Sequence, residues 1–225
     1  STTSTTTVSP STTATPAAQP PAAVQPSPVA DSYAGETGHA DSFHLVFENG
    51  KLSMSFAYDG PCNDTFPATE YHDPASGIMY VKPEAEIEVP EGFDFLGQAG
   101  APVWLLPQAQ ECELLWPGLS TESTSLEGWG SFEFTLLSVE GPGDFVLFTT
   151  GSFGSSTVLW DLRQDARRFN VPYGTHAHYN WAFTKPGTYA ISVEASGSHP
   201  QHGRQSTGPV SFRIVVGESA PGASS

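Results

Sequence analysis

The segment Thr175-His176-Ala177-His178-Tyr179-Asn180-Trp181-Ala182-Phe183 alternates in chemical type. On a strand every second residue shares a face. Ala177, Tyr179, Trp181 and Phe183 then make an apolar side fit for a core, and His176, His178 and Asn180 fall on the other. Two imidazoles on one face, two residues apart, can reach a single ion, and neutral imidazole is the usual nitrogen ligand of zinc. Gly38-His39-Ala40-Asp41 carries the same spacing with a carboxylate in place of one ring. His39, His176, His178 and Asp41 together form a three-nitrogen, one-oxygen set suited to zinc or another divalent transition metal. Asp41 would act in it either as a ligand or as the group that orients an imidazole. His199 and His202, in a Gly/Ser/Pro-rich loop, are candidates to add ligands or to close over such a site. The same residues also read as histidines that merely stack or hydrogen-bond on a sheet face. His44 and His72 are expected at the surface.

Other chemistry finds little support. The sequence has no nucleophile elbow, no HExxH pair, no Gly-Lys phosphate loop and no dinucleotide fingerprint. A metallohydrolase would need an open metal position and a nearby general base, and no residue pattern marks one. The expectation is a protein that is not an enzyme. Trp104, Trp116, Trp129 and Trp160 would stack on sugar rings if exposed, but their neighbours are apolar and Trp in such company is core.

The elements that must position these residues are strands. Phe43, Leu45 and Phe47 alternate with polar residues, as do Leu52, Met54, Phe56 and Tyr58, and Asn49-Gly50 between them is a two-residue hairpin signal. Further strands read at 78–81, 85–89, 103–106, 131–139, 145–150, 157–162, 175–183, 188–195 and 210–216. No amphipathic helix is visible, although residues 162–168 could hold one turn. Short strands separated by Gly and Pro predict an all-β fold, an antiparallel, immunoglobulin-like β-sandwich. Trp181 through Tyr189 adds a strand, a Pro-Gly turn and a Tyr opening the next strand, the pattern of a tyrosine corner.

Composition sets the domain limits. Residues 1–30 are almost wholly Ser, Thr, Pro, Ala and Gln, too poor in apolar groups to offset the entropy of ordering. They read as a disordered stalk, residues 31–217 as one β-sandwich domain and residues 218–225 as a flexible tail. The net charge of −16 is concentrated between Asp31 and Glu140, where Lys51 and Lys82 are the only basic residues. Such a surface repels nucleic acid and anionic lipid. No apolar run is long enough to span a bilayer, so no membrane insertion by this segment is expected. The absence of an initiating Met or a signal peptide is expected of a piece cut from a longer exported protein. Cys62 and Cys112 fit one disulfide closing a loop of 50 residues, worth roughly 4 kcal/mol in the loop-entropy picture; a buried pair of free thiols is the alternative. Asn63-Asp64-Thr65 is a glycosylation sequon.

Several of these segments taken together resemble the actinobacterial surface-anchored repeat domain of proteins named choice-of-anchor M. The resemblance runs through Gly38-His39-Ala40-Asp41, residues 95–100, Val103-Trp104-Leu105-Leu106-Pro107-Gln108 and Leu115-Trp116-Pro117-Gly118. It continues through Gly141-Pro142-Gly143, residues 175–178 and Gly187-Thr188-Tyr189, covering nearly all of residues 31–217. It implies an extracellular, cell-surface protein held to the wall or membrane elsewhere in its chain. It also implies a link to metal-type ABC uptake systems and their substrate-binding proteins, beside which such relatives are encoded. The family's His motifs map onto His39, Asp41, His176 and His178. The expectation is therefore an extracellular, surface-anchored sandwich that binds a divalent transition metal, zinc favoured, or a metal complex. A structural or adhesive wall domain without metal and a glycan-binding module are the alternatives.

Overall fold

The computed structural model describes residues 33–62 and 68–221. The stalk of residues 1–30, the sequon at Asn63 and the last four residues lie outside the described residues.

The described chain is all-β, without an α-helix. In chain order the strands are β1 (Ala34–Gly35), β2 (Gly38–Glu48), β3 (Lys51–Gly60), β4 (Glu70–His72), β5 (Ile78–Val81) and β6 (Glu86–Glu88). There follow β7 (Pro102–Leu106), β8 (Leu115–Ser120), β9 (Ser131–Glu140), β10 (Phe145–Thr150), β11 (Ser156–Trp160) and β12 (Arg168–Pro172). The last are β13 (His176–His178), β14 (Asn180–Phe183), β15 (Gly187–His199), β16 (Gly203–Ser206) and β17 (Val210–Val216). One sheet runs β1-β5-β17-β15-β9-β12, with β16 also on β15; a second runs β11-β10-β14-β7-β6; the third runs β13-β8-β2-β3-β4. Pairing is mostly antiparallel, as expected, but the sheets are mixed: β1 and β17 lie parallel to β5, and β2 lies parallel to β8.

The three sheets pack around one core in which Phe43 of β2 is a hub. Its ring lies 5.5 Å from Trp160, 5.2 Å from Trp181 and 5.3 Å from Phe212, reaching both other sheets. A smaller core on the far face of the second sheet gathers Val89, Leu96, Val103, Val146, Phe148 and Ala182. Trp104, Trp129 and Trp160 are buried, as their apolar neighbours implied. No row of exposed Trp rings exists among the described residues, which removes the observation a glycan platform needed.

Two local expectations hold in detail. Asn49 and Gly50, at φ 52° and 77°, close the β2–β3 hairpin in the left-handed conformations that a primed turn demands. The Tyr189 hydroxyl donates to the Lys185 carbonyl at 2.7 Å, a tyrosine corner.

Other expectations need correction. Residues 175–183 are not one strand but two, β13 and β14, in different sheets, with Tyr179 at the break. Five strands had no clear sequence signal: β1, β4, β8, β12 and β16. His72 is not a surface residue; it is 5 % exposed and packs beside Tyr33. His44 is half-buried, its ring against Tyr71.

Candidate metal centre

The site lies on the outer face of the third sheet, where β8 runs between β2 and β13. Register does the assembly. Asp41 of β2 and His178 of β13 both stand opposite Gly118 of β8, while His39 stands opposite Trp116 and His176 opposite Ser120. Residues paired across a sheet project from the same face. Because the central position is glycine, the two flanking side chains lean together over it. A Cβ on Gly118 would fall 2.6 Å from Cε1 of His178 and 2.8 Å from Oδ1 of Asp41.

A bulge makes this compatible with the core. Ala40 and Phe43 are both fully buried, a separation of three that strict alternation forbids. The β2–β8 register shifts between Asp41 and Phe43, inserting one extra residue. The bulge turns Phe43 inward while His39 and Asp41 stay outside.

The ligating atoms converge. Nε2 of His39 lies 3.2 Å from Nε2 of His176 and 3.2 Å from Nε2 of His178. Oδ1 of Asp41 is 3.0 Å from Nε2 of His176 and 3.8 Å from Nε2 of His39. One atom from each of the four residues lies within 4.8 Å of every other. Two ligands about 2.0–2.1 Å from one ion at the tetrahedral angle stand about 3.3–3.4 Å apart, close to the four separations of 3.0, 3.2, 3.2 and 3.8 Å in a group that lies within 4.8 Å as a whole. His39, Asp41, His176 and His178 could hold a metal ion.

Neighbouring groups set which ring nitrogens face inward. Nδ1 of His39 lies 2.5 Å from Oδ2 of Asp59, whose other oxygen accepts from Thr69 Oγ1 at 2.6 Å. Burial works against the Asp59 carboxylate, but the hydrogen bonds from Thr69 and His39 outweigh it and hold its pKa below the usual value. An ionised carboxylate only accepts, so His39 carries its proton on Nδ1 and turns a lone pair inward. Nδ1 of His176 faces Glu122 at 3.4 Å in the same sense. Trp116 stacks flat on His178, centroids 3.5 Å apart at 7°.

The resulting field disfavours charge on two of the four groups. Burial raises the pKa of Asp41, against the pull of the His176 and His39 rings. Burial, then His39 and His176, push His178 down to about 3, partly offset by the Pro117 carbonyl. His178 is therefore neutral and ready to ligate across the physiological range. Oδ1 of Asp41 is buried and makes no hydrogen bond, although His176 Nε2 is within reach. Lone pairs gathered this closely repel one another unless a cation lies between them.

His199 and His202 do not join the group. They stand 4.7 Å apart by ring centroid, with Trp129 and Phe47 as neighbours, at the opposite end of β2. Eight residues of extended chain separate Phe47 from His39, about 25 Å. Asn180 does not share the face of His176 and His178; it is buried in the second sheet, where Oδ1 accepts from Gln108 N at 2.8 Å. Sequence reading missed Asp59, Glu122, Gly118 and the stacking role of Trp116. Only the Trp116-Pro117-Gly118 run hinted at the last two. Cys62 and Cys112 are bonded, S–S 2.01 Å, so the pair is a disulfide and not two free thiols. No helix among the described residues is long and apolar enough to cross a membrane. No family model, curated protein or solved structure matches the chain.

Proposed function

We propose that this chain is an extracellular, cell-surface β-sandwich module that binds a divalent transition metal, zinc in the first place, and presents it to a metal uptake system. The observation that carries the reading is the buried, unbonded Oδ1 of Asp41, 3.0 Å from His176 Nε2 and 3.8 Å from His39 Nε2, in a group whose ligand atoms, with His178, all lie within 4.8 Å of one another. Three nitrogens and one carboxylate oxygen in a compact group suit zinc; calcium and magnesium prefer all-oxygen shells of six or more. The side chain of His176 is 38 % exposed, so an ion held there stays open to exchange. Surface location is supported by the Ser/Thr/Pro-rich segment and the disulfide. The link to an ABC transporter and its substrate-binding protein is supported by the family resemblance alone.

The test is metal content and zinc affinity of the purified chain beside a His176→Ala/His178→Ala variant. Near-stoichiometric zinc is expected in the parent and none in the variant, with near-ultraviolet circular dichroism unchanged. Absence of zinc from both, with the variant merely less stable, would make the histidines architectural and leave a wall-displayed scaffold.

A further inference from the structure

We infer that cargo metal enters and leaves this centre by replacement of one ligand, His176, and that Glu122 is the positioning residue that governs how readily His176 yields. The inference rests on the metal-binding reading and adds to it the route of exchange.

The four ligands are unequally held. The side chains of Asp41 and His39 are 12 % and 18 % exposed, against 38 % for His176. His39 is fixed from behind by Asp59, which Thr69 fixes in turn. His178 lies flat on Trp116, whose indole N–H donates to the Gln108 carbonyl at 2.9 Å. His176 has neither kind of support. Among the described residues its only ring neighbours are His39 and His178, and its strand, β13, is the outermost of the sheet. The backbone there is nevertheless pinned. Thr121 N donates to the Thr175 carbonyl at 2.9 Å, and Thr175 N donates to Thr121 Oγ1 at 3.0 Å. The ring can therefore turn about its side-chain bonds while the strand stays in place. Behind the ring stands only the carboxylate of the exposed Glu122, 3.4 Å from Nδ1, a looser hold than the 2.5 Å contact of Asp59 with His39.

Exchange at such a ligand needs no vacant position in the resting site. An acceptor offering a neutral imidazole or a thiolate approaches from the solvent side and donates its lone pair to the ion, and zinc accommodates a passing fifth neighbour. The bond to His176 Nε2 then breaks, its electron pair returns to that nitrogen, and the ring swings out. No oxidation state changes and no proton is supplied or lost, because each donor arrives and leaves in its unprotonated form. Glu122 opposes the swing by attracting the Nδ1–H side of the ring. Loss of a group that orients a metal ligand typically weakens affinity about 10–100-fold, here through faster release.

The experiment follows zinc transfer from the loaded full chain to a chromophoric chelator by stopped flow, at rising chelator concentration. The forms compared are the parent, Glu122→Ala, Glu122→Gln, His176→Ala and Glu122→Ala/His176→Ala. The parent rate should rise in proportion to chelator. Glu122→Ala should speed transfer about 10–100-fold, and Glu122→Gln, which keeps an oxygen beside Nδ1, should speed it less. His176→Ala should still bind zinc through three ligands, more weakly, and adding Glu122→Ala to it should change nothing further. A parent rate independent of chelator, an unchanged rate in Glu122→Ala, or a Glu122→Ala effect of equal size without His176 overturns the inference and leaves the metal-binding reading standing. Failure of His176→Ala alone to bind zinc also overturns it, because His176 is then indispensable and not replaceable. Zinc bound by no form, the parent included, removes the metal-binding reading and the inference with it.

Discussion

At Gly118 one hydrogen atom in place of a methyl group decides whether two ligands can meet. Gly118→Ala puts a carbon within 2.9 Å of His178 Nδ1 as well as of Asp41 Oδ1, so the cradle closes. Zinc affinity is expected to fall at least tenfold, at a stability cost of about 1–3 kcal/mol for the overpacked position; unchanged affinity in a chelator competition would show that Asp41 and His178 do not share an ion. The neighbouring His178 makes a prediction about acid. An unfolded histidine takes its proton near 6.5 and folded His178 only near about 3. Between those values the unfolded chain binds the extra proton, so stability present above 6.5 is lost as pH falls. Asp41, its pKa raised above 3.8 when folded, pulls the other way, since the folded chain then takes that proton first. The two contributions oppose each other, and a change at His178 removes the first alone. In chelator, the melting temperature should drop between pH 6.5 and 4.5, and His178→Gln should flatten that slope. An equally steep slope in the variant would place the acid sensitivity elsewhere.

Elements record where period and composition were enough and where they were not. The β2–β3 hairpin was legible because alternation, an Asn-Gly turn and polar outer residues agreed. β8 was not, since Leu115-Trp116-Pro117-Gly118 mixes a Pro and a Gly into a run that pairs on both sides. Those residues normally weaken a strand; here the Gly is what the ligands require. The alternation of residues 175–183 put His176 and His178 on one face, as the structure does, but could not show the change of sheet at Tyr179, because both halves keep a period of two. Nor could it show the bulge at Ser42. The His and Asp residues were legible as a set through their matched i, i+2 spacing, whereas Asp59 and Glu122 reach the site only through the β2–β3 register and the turn after β8. The tyrosine corner gives this scale its own test. Gly141 leaves room for the Tyr189 ring, since a Cβ there would meet Cδ1 at 2.3 Å. The phenol's bond to Lys185 is the polar part. Tyr189→Phe should cost about 0.5–1.5 kcal/mol in denaturant unfolding with zinc affinity intact. A larger loss, or weaker zinc binding, would mean that the corner positions β13 and not only β15.

For the whole molecule, the candidate metal site sits outside the core and yet spans it in sequence. His39 and Asp41 come from the second strand and His176 and His178 from the thirteenth, joined across β8. An ion bound by all four therefore ties the start of the domain to its end, while the Phe43 hub joins the same strand to the other two sheets. Binding that requires the folded arrangement stabilises it by mass action, about 2.7 kcal/mol at a free metal concentration 100 times the dissociation constant. At about 2–4 °C per kcal/mol for a domain of 150–250 residues, zinc should raise the melting temperature by about 5–10 °C, reversibly on adding chelator. Magnesium and calcium should have no such effect, because the set offers one oxygen and three imidazoles. The acidic surface, net −16, predicts no such ranking if it is the source of any stabilisation, since screening of diffuse carboxylates by any divalent ion is similar and fades with salt. A shift seen equally with all three metals and abolished by 0.5 M NaCl would therefore assign the effect to surface charge. A zinc-specific shift that survives salt and vanishes in His176→Ala/His178→Ala would assign it to the four convergent ligands.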